Sequence, residues 1–164
     1  MKRLILIGLS TLALAACQSQ PRVQQNRKPS FYASLAQAGA EVDAAMARDM
    51  IGAYRRNNGL GPLAVDPGLQ AAARAEAEAM AAADRPSSAE AFKARLAAAG
   101  FTAPAANLSA GYHTLAEAFS GWRESAPHNR VLLDPQAARI GIATAYAPNS
   151  KYKVYWALVV AAKG

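Results

Sequence analysis

The sequence predicts an α+β fold in which helices come first and antiparallel strands come last. At the start of the predicted domain, from residue 41, apolar residues recur every four positions, as they do in amphipathic helices, and capping signals mark further helices up to Trp122. Two late segments, 139–146 and 152–161, are rich in β-branched and aromatic residues, and 147–151 between them has the Pro-Asn-Ser composition of a hairpin turn. Residues 106–110 are a further, short candidate strand. Helices followed by an antiparallel pair indicate an α+β layer architecture.

The first helix is predicted at residues 41–58, where an apolar stripe recurs every four residues at Val42, Met46, Met50 and Tyr54. The second begins at Asp66, an N-cap followed by proline at the first helical position, and continues to about residue 83.

Two capping boxes predict where two further helices begin. Ser87 and Glu90 open the third helix, and a glycine ten residues after Glu90 ends it. Thr114 and Glu117 open the fourth, which continues through Trp122. In such a box the side chain of the first residue accepts a hydrogen bond from the backbone N–H of the glutamate. The glutamate side chain accepts a second one from the backbone N–H of the first residue.

The chain begins with the features of a secretory signal. Lys2 and Arg3 form a positively charged start, and residues 4–16 are a mostly apolar run that ends in small residues. A run of about thirteen positions is too short for a helix that spans a membrane. We therefore predict that residues 1–16 are a signal peptide.

Cys17, the only cysteine, follows this run directly, in the sequence Leu14-Ala-Ala-Cys17. The pattern resembles the lipobox of bacterial lipoproteins, in which the cysteine sulfur is lipidated, the signal is removed and the new N-terminus is acylated. The alternative is a plain signal peptide with an unrelated cysteine. Two or more acyl chains on one residue anchor a protein stably to a membrane. Because Gln18 is not the aspartate that resembles an inner-membrane retention signal, we expect an outer-membrane lipoprotein of the cell envelope, facing the periplasm or the cell surface.

The predicted organisation is a signal peptide at 1–16, the lipidated cysteine with a flexible tether at 17–40, and one folded domain at 41–164. Residues 18–30 contain Gln, Asn, Pro, Arg and Lys and almost nothing apolar, which is typical of a tether. Residues 31–40 fit either the tether or a segment that docks on the domain.

Charge and cysteine content restrict the possible partners. The chain has 18 basic and 11 acidic residues, and removal of Lys2 and Arg3 leaves 16 − 11 = +5. This excess favours anionic surfaces, such as lipid headgroups or cell-wall polymers. The basic residues are scattered rather than interleaved with aromatic ones, so we do not expect a nucleic-acid partner. Once Cys17 is acylated, the domain has no thiol for a disulfide, a nucleophile or a metal ligand.

Four motifs in a fixed order carry a resemblance to a known family. They are Asn107-Leu-Ser-Ala-Gly-Tyr112, Trp122-x-x-Ser125-x-x-His128, Arg139-Ile-Gly-Ile-Ala143 and Tyr152-x-x-Tyr155-Trp156-Ala-Leu-Val159. Together they resemble the bacterial branch of the CAP superfamily, the SCP-like domains named after cysteine-rich secretory proteins, antigen 5 and pathogenesis-related proteins. The resemblance covers residues 50–161, and it implies a three-layer α-β-α sandwich with a small antiparallel sheet.

The resemblance also implies a central cavity whose two histidines and two acidic residues can hold a divalent metal. Here Ser88 occupies the position of the first histidine, and Ala106, just before Asn107, occupies the position of the first acidic residue. Ser125 occupies the position of the second acidic residue, and His128 is the last histidine. One imidazole and two hydroxyls do not make a stable zinc site, which needs three or four protein ligands. We therefore expect no metal, no cofactor and no catalytic residue of the family type.

The remaining catalytic hypothesis is a hydrolase that uses Ser125 and His128 as nucleophile and base. Pro127 between them disrupts regular helix geometry, and only Glu124 or Asp134 offers an orienting carboxylate. The leading hypothesis is a non-enzymatic binding module for a lipid-like ligand, a cell-wall component or an envelope protein. The alternatives are a CAP-type peptidase or other hydrolase that acts on envelope material, and a domain that only stabilises an envelope assembly.

Overall fold

The structure, a computed structural model, describes residues 29–164. The predicted signal peptide, Cys17 and the tether up to residue 28 lie outside these residues. Within them, no helix is both long and apolar enough to cross a membrane. The described elements are a 3₁₀ turn at Ser30–Tyr32, helices α1 (Ala44–Asn57), α2 (Pro67–Ala83), α3 (Ala89–Ala98), α4 (Leu115–Glu124) and α5 (Ala126–Leu132), and strands β1 (Ala64–Val65), β2 (Ala105–Ala110), β3 (Ala137–Tyr146) and β4 (Val154–Ala162).

The four strands form one sheet in the order β1-β3-β4-β2. Strand β4 pairs antiparallel with both β3 and β2, as the sequence predicts for the late hairpin. Strand β1 pairs parallel with β3, so the sheet is mixed rather than purely antiparallel. Sequence patterns did not predict β1, because two residues are too few to show a period of two.

Helices cover both faces of the sheet, which confirms the predicted α-β-α sandwich. One apolar cluster joins one sheet face to α1, α4 and α5, and the other joins the opposite face to α2 and α3. Strand β4 supplies both clusters in alternation: Trp156 and Leu158 belong to the first, and Ala157 and Val159 to the second. Because both faces are buried, β4 is continuously apolar instead of alternating with polar residues. Residues 29–164 thus contain their own core, and we expect them to fold as an independent unit.

The helix starts follow local capping chemistry. Asp66 accepts a hydrogen bond from the Leu69 N–H at 2.9 Å, and Thr114 and Glu117 form the predicted capping box. The third helix begins one residue later than predicted, because Ser88 rather than Ser87 is its N-cap. Two adjacent serines offer equivalent hydroxyls, so the local sequence does not distinguish them.

Two further differences from the predictions concern where a helix and a strand begin. A short fifth helix, α5, follows α4 directly, and Pro127 lies in its first turn, where a missing N–H is tolerated. The predicted disruption is therefore a junction between two helices at Ser125. Strand β4 begins at Val154, two residues later than predicted, after Lys153 in a left-handed conformation with φ 62°.

The segment 31–40 docks on the domain. The Leu35 side chain is buried, and its backbone N–H donates to the carbonyl oxygen of His113 at 2.7 Å. Phe31 and Ala40 pack against the same cluster as α1 and α4. This part of the predicted tether therefore belongs structurally to the domain.

Candidate functional site

A cavity of about 420 Å³ lies at the outer edge of β2, between α3 and α5. Strand β2 forms its base, α3 forms one wall and α5 forms the other. The volume lies in the range of small-molecule and peptide sites in proteins, about 300–1,000 Å³. The lining side chains and backbone come from Ser87, Ala89, Glu90, Lys93, residues 105–108, Pro127, His128, Arg130, Val131 and Asp134.

Three of the five pocket residues singled out in the sequence line this cavity: Ala106, Asn107 and His128. The other two lie next to it and have backbone roles. Ser88 accepts a hydrogen bond from the Ala91 N–H at 3.3 Å as the N-cap of α3. Ser125 joins α4 to α5, and its carbonyl oxygen accepts from the Asn129 N–H at 2.8 Å.

Asn107 and His128 are joined in the cavity wall, and each has an unsatisfied polar atom. The Asn107 side chain is 1% exposed, and its Nδ2 donates to the His128 carbonyl oxygen at 3.0 Å. Both Asn107 Oδ1 and His128 Nδ1 are buried without a hydrogen-bond partner in the protein. A buried polar atom left unpaired costs about 1–3 kcal/mol. Such atoms are therefore natural anchor points for a ligand.

The residues at the cavity's mouth carry charges of both signs. Lys93 pairs with Glu90 at 2.7 Å, with the Glu90 side chain 84% exposed, so this pair contributes little to stability. Arg130 and Asp134 add one further charge of each sign. Two positive and two negative groups around a polar base suit a ligand that itself carries both charges.

These residues do not fit a metal ion. Among the described residues, no three His, Cys, Asp or Glu side chains come together as a metal site would require. His128 is the single imidazole of the cavity, and its other polar neighbour, Asn107, is a neutral amide. Stable zinc sites need three or four such ligands.

The residues proposed for hydrolysis do not converge. His128 Nδ1 has no hydrogen-bond partner, and within residues 29–164 no side-chain hydrogen bond joins Ser125 to His128. The Glu124 side chain is exposed, and Asp134 Oδ1 accepts from the Gln136 N–H at 2.9 Å. A nucleophile, base and orienting acid in mutual contact are thus not formed.

Burial lowers the pKa of His128 below its ordinary value of 6.5. The folded protein therefore binds this proton less readily than the unfolded chain does. Stability is fully present above pH 6.5 and declines as the pH falls from there towards the lowered pKa. We expect the free energy of unfolding in urea to be lower at about pH 5.5 than at about pH 7.5, with the decline beginning near pH 6.5, and we expect His128→Gln to remove most of that difference.

His113→Gln is the matched control, because His113 is exposed. It should keep the pH dependence of the parent. The lowered pKa values of Asp66 and Asp84, which come mainly from hydrogen bonds donated to their carboxylates, affect stability only at more acidic pH. An unchanged pH dependence in His128→Gln would contradict this assignment.

Comparison with known proteins agrees with the fold. Residues 48–160 match the model of the CAP family, the cysteine-rich secretory protein family. The chain belongs to the CAP family. No curated protein matches it.

Solved structures give the same fold. An extracellular SCP-domain protein of Bacillus anthracis superimposes with a TM-score of 0.59 and 19% identity, over 73% of this chain and 40% of that one. A cysteine-rich secretory protein of Staphylococcus aureus gives a TM-score of 0.60 and 17% identity, over 73% of this chain and 38% of that one. An outer surface protein of Borrelia burgdorferi gives a TM-score of 0.63 and 15% identity, over 77% of this chain and 99% of that one. This CAP chain thus spans about two fifths of the length of each of the first two proteins.

Sequence reasoning did not predict that Glu90, Lys93 and Arg130 line the site, and it considered Asp134 only as an orienting carboxylate for a hydrolase. Each lies on a helix surface or just after a helix, where a charged residue is ordinary. Only the packing of α3 and α5 on either side of β2 brings them together.

Proposed function

We propose that this protein is an envelope lipoprotein, acylated at Cys17, whose CAP domain binds an extended peptide of the cell wall without cleaving it. The cavity beside β2 is the binding site. The observation that carries the proposal is that this cavity follows the outer edge of strand β2 and is lined by Asn107, whose Oδ1 is buried without a hydrogen-bond partner in the protein.

Strand β2 is at the end of the sheet, paired on one side with β4 only. The backbone on its other side faces the cavity along residues 105–108. An edge strand can accept an extended peptide as an additional strand, with main-chain hydrogen bonds providing affinity and side-chain pockets providing specificity. This geometry favours a peptide over a compact ligand.

The polar groups of the cavity specify the peptide further. Asn107 Oδ1 is an acceptor and requires an N–H or O–H donor from the ligand. The mouth offers Lys93 and Arg130 for carboxylates, and Glu90 and Asp134 for ammonium groups. The short peptides of peptidoglycan carry amides, free carboxylates and an amine. They supply all three kinds of partner.

Two alternatives are less well supported. A hydrolase would need Ser125 and His128 in contact, and their side chains are not hydrogen-bonded. A domain that only stabilises an envelope assembly would need a large apolar surface. Among the residues described, the exposed large apolar side chains are Tyr32, at 57%, and Val65, at 36%.

The envelope location rests on the sequence and on the nature of similar proteins. The predicted lipobox at Cys17 supports acylation, and Gln18 supports the outer membrane. Similar structures include an extracellular protein and an outer surface protein. Metabolic labelling with an alkyne fatty acid should label the parent chain in cells but not a Cys17→Ala variant. Equal labelling of both would contradict the anchor.

The binding proposal is tested by NMR titration of isotope-labelled domain 29–164 with the peptidoglycan tripeptide L-alanyl-γ-D-glutamyl-diaminopimelate. We expect shifts of the amides at 105–108 and of the His128 side chain. Asn107→Leu should weaken binding about tenfold or more, because it removes the buried acceptor. Lys93→Ala at the mouth should weaken it about twofold to fivefold, whereas the exposed Lys163→Ala should not.

The same sample distinguishes the alternatives. Mass spectrometry should recover the tripeptide intact after long incubation. Cleaved tripeptide that His128→Gln no longer produces would establish the hydrolase instead. The absence of shifts at 105–108 at millimolar peptide would exclude the peptide as ligand. A urea unfolding curve for Asn107→Leu separates lost binding from lost folding.

A further inference from the structure

Most of strand β3 has no neighbouring strand on its outer side. The strand has ten residues, and β1 pairs with two of them, Arg139 and Ile140. The Ala147 N–H donates to the Lys153 carbonyl oxygen at 2.8 Å, so from residue 139 onwards the odd-numbered residues form the hydrogen-bonded pairs with β4. The backbone N–H and C=O groups of the even-numbered residues therefore point away from β4, to the outer edge of the sheet.

A glutamine side chain already occupies one position of this edge. Gln70, on α2, donates from Nε2 to the Ile142 carbonyl oxygen at 2.7 Å, and its Oε1 accepts from the Ile142 N–H at 3.0 Å. One side-chain amide thus makes the two kinds of hydrogen bond that a neighbouring strand would make. The edge of β3 can therefore pair with amide groups from outside the sheet.

Beyond Ile142, the same edge faces a cavity of about 530 Å³. The outward-pointing residues there are Thr144 and Tyr146, and within residues 29–164 no hydrogen bond from outside the β3–β4 pair reaches their backbone groups. Helix α2 and the segment 38–41 line the cavity next to the strand. This segment leaves room for incoming side chains, because three of its residues are small: Ala38, Gly39 and Ala40.

The lining residues carry one excess negative charge. Arg74 and Glu78 follow Gln70 at four-residue intervals, so α2 presents all three side chains along the edge of β3. The Arg74 guanidinium is paired with the Glu41 carboxylate through two hydrogen bonds, at 2.8 and 3.2 Å. Glu78 has no ion-pair partner in the described part of the chain. The Lys153 ammonium, at the rim, donates to a backbone carbonyl oxygen at 2.6 Å. Glu78 is thus the carboxylate left for a partner.

We infer that the outer edge of β3 at residues 144–146 is a docking site for an extended segment of another protein, which adds to the sheet as a further strand. A peptide backbone presents N–H and C=O groups with the same repeat as this edge, whereas a compact ligand does not. Main-chain hydrogen bonds with Thr144 and Tyr146 provide affinity, and a basic side chain of the segment meets Glu78. The site lies on the β1 side of the sheet, opposite to β2, so it is separate from the proposed cell-wall site and does not depend on it.

The geometry of the edge favours a single segment over a second copy of this domain. Paired strands lie about 4.8 Å apart. The outer edge of β3 faces a cavity beside α2 and the segment 38–41, and the outer edge of β2 lies between α3 and α5. The flanking elements of two copies would meet before their edges reached that distance. An isolated extended segment meets no such obstacle.

The test is NMR titration of isotope-labelled domain 29–164 with the peptide acetyl-Val-Lys-Val-Lys-Val-Lys-amide. We expect saturable shifts of the amides of Thr144 and Tyr146. Two further peptides carry N-methyl groups at either the odd or the even positions. One of them should bind about tenfold or more weakly, because it lacks the donors that face β3, and the other should bind like the unmodified peptide. Equal effects of the two methylation patterns, or no saturable shifts at millimolar peptide, would overturn the inference.

A pair of variants tests the same hydrogen bonds from the side of the domain. Tyr146 lies opposite Val154 in a pair whose N–H groups are not exchanged with β4, so proline there removes one outward donor without removing a bond of the sheet. Tyr146→Pro should bind the peptide about fivefold or more weakly than Tyr146→Ala, which also lacks the ring but keeps the N–H. Urea unfolding shows whether both variants fold, and the methylated peptides decide the question if the proline variant does not. Equal affinities of two folded variants would contradict pairing at this edge.

Charge preference tests the kind of partner. The parent should bind the lysine peptide about threefold or more tightly than acetyl-Val-Glu-Val-Glu-Val-Glu-amide, and Glu78→Lys should abolish or reverse this order. Glu124→Lys makes the same charge change at an exposed position outside the cavity and should keep it. An unchanged order in Glu78→Lys would overturn the assignment of a basic partner. Shifts at 105–108 with the peptidoglycan tripeptide report on the β2 cavity separately, so failure at one site is not mistaken for failure at the other.

Discussion

Replacement of Arg55 by methionine is expected to destabilise the domain by about 3–5 kcal/mol, the range seen when one partner of a buried charged network is removed. Arg55 is a fully buried, charged side chain with 0% exposure. Its guanidinium donates four hydrogen bonds, each to a backbone carbonyl oxygen. The acceptors are Gly61 at 3.0 Å, Leu132 at 2.9 Å, Asp134 at 2.9 Å and Ala137 at 3.0 Å.

These four carbonyls belong to three separate parts of the chain. Arg55 lies on α1, and its partners lie after α1, at the end of α5 and at the start of β3. Methionine preserves much of the apolar stem but leaves the carbonyls unpaired in the core, and each unpaired group costs about 1–3 kcal/mol. Lysine should also destabilise, because an ammonium cannot reproduce the planar fork of donors.

Urea unfolding of domain 29–164 measures the effect. The matched control is Arg56→Met, since Arg56 is adjacent and exposed. It should change the free energy of unfolding by no more than about 0.5 kcal/mol. Similar unfolding midpoints for Arg55→Met and the parent would show that the four hydrogen bonds contribute no net stability.

The second large effect is expected for Gly141→Ala. Strand β3 passes so close to α2 that a Cβ at Gly141 would lie 2.3 Å from the backbone carbon and oxygen of Leu69. Both contacts are main-chain atoms, which cannot rotate away as a side-chain end can. The helix would have to move off the sheet, opening the apolar cluster that includes Ala73 and Val159. We expect a loss of about 3 kcal/mol or more, at the upper end for overpacked cores.

Gly52→Ala is the control for this substitution. A Cβ at Gly52, inside α1, would have one neighbour within 4 Å, the Arg56 Nη1 atom at 3.6 Å. Alanine there should stabilise the helix by about 0.5–1 kcal/mol. Thermal and urea unfolding of both variants distinguish steric overlap from a general intolerance of alanine. A parent-like melting temperature for Gly141→Ala would mean that α2 and β3 separate at little cost.

The sequence alone determined the class of fold, because the relevant signals are local. Apolar periodicity predicted α1, the N-cap Asp66 followed by proline predicted the start of α2, and Thr114 with Glu117 predicted the start of α4. Long apolar strands flanking a turn predicted the β3–β4 hairpin. The ordered motifs from residue 107 to residue 159 carried the resemblance that the family match confirmed. None of these inferences required knowledge of what packs against what.

Tertiary structure alone decided the rest. Strand β1 exists because β3 provides a partner, and the segment at Leu35 is ordered because the domain offers it an apolar surface and the carbonyl oxygen of His113. Asn107 is unusual only in having its Oδ1 buried without a partner, and Thr144 only in lying at a strand edge that faces a cavity. In the sequence, both are ordinary polar residues. Their potential to bind a ligand comes from burial and from neighbours distant in the chain, which no local pattern encodes.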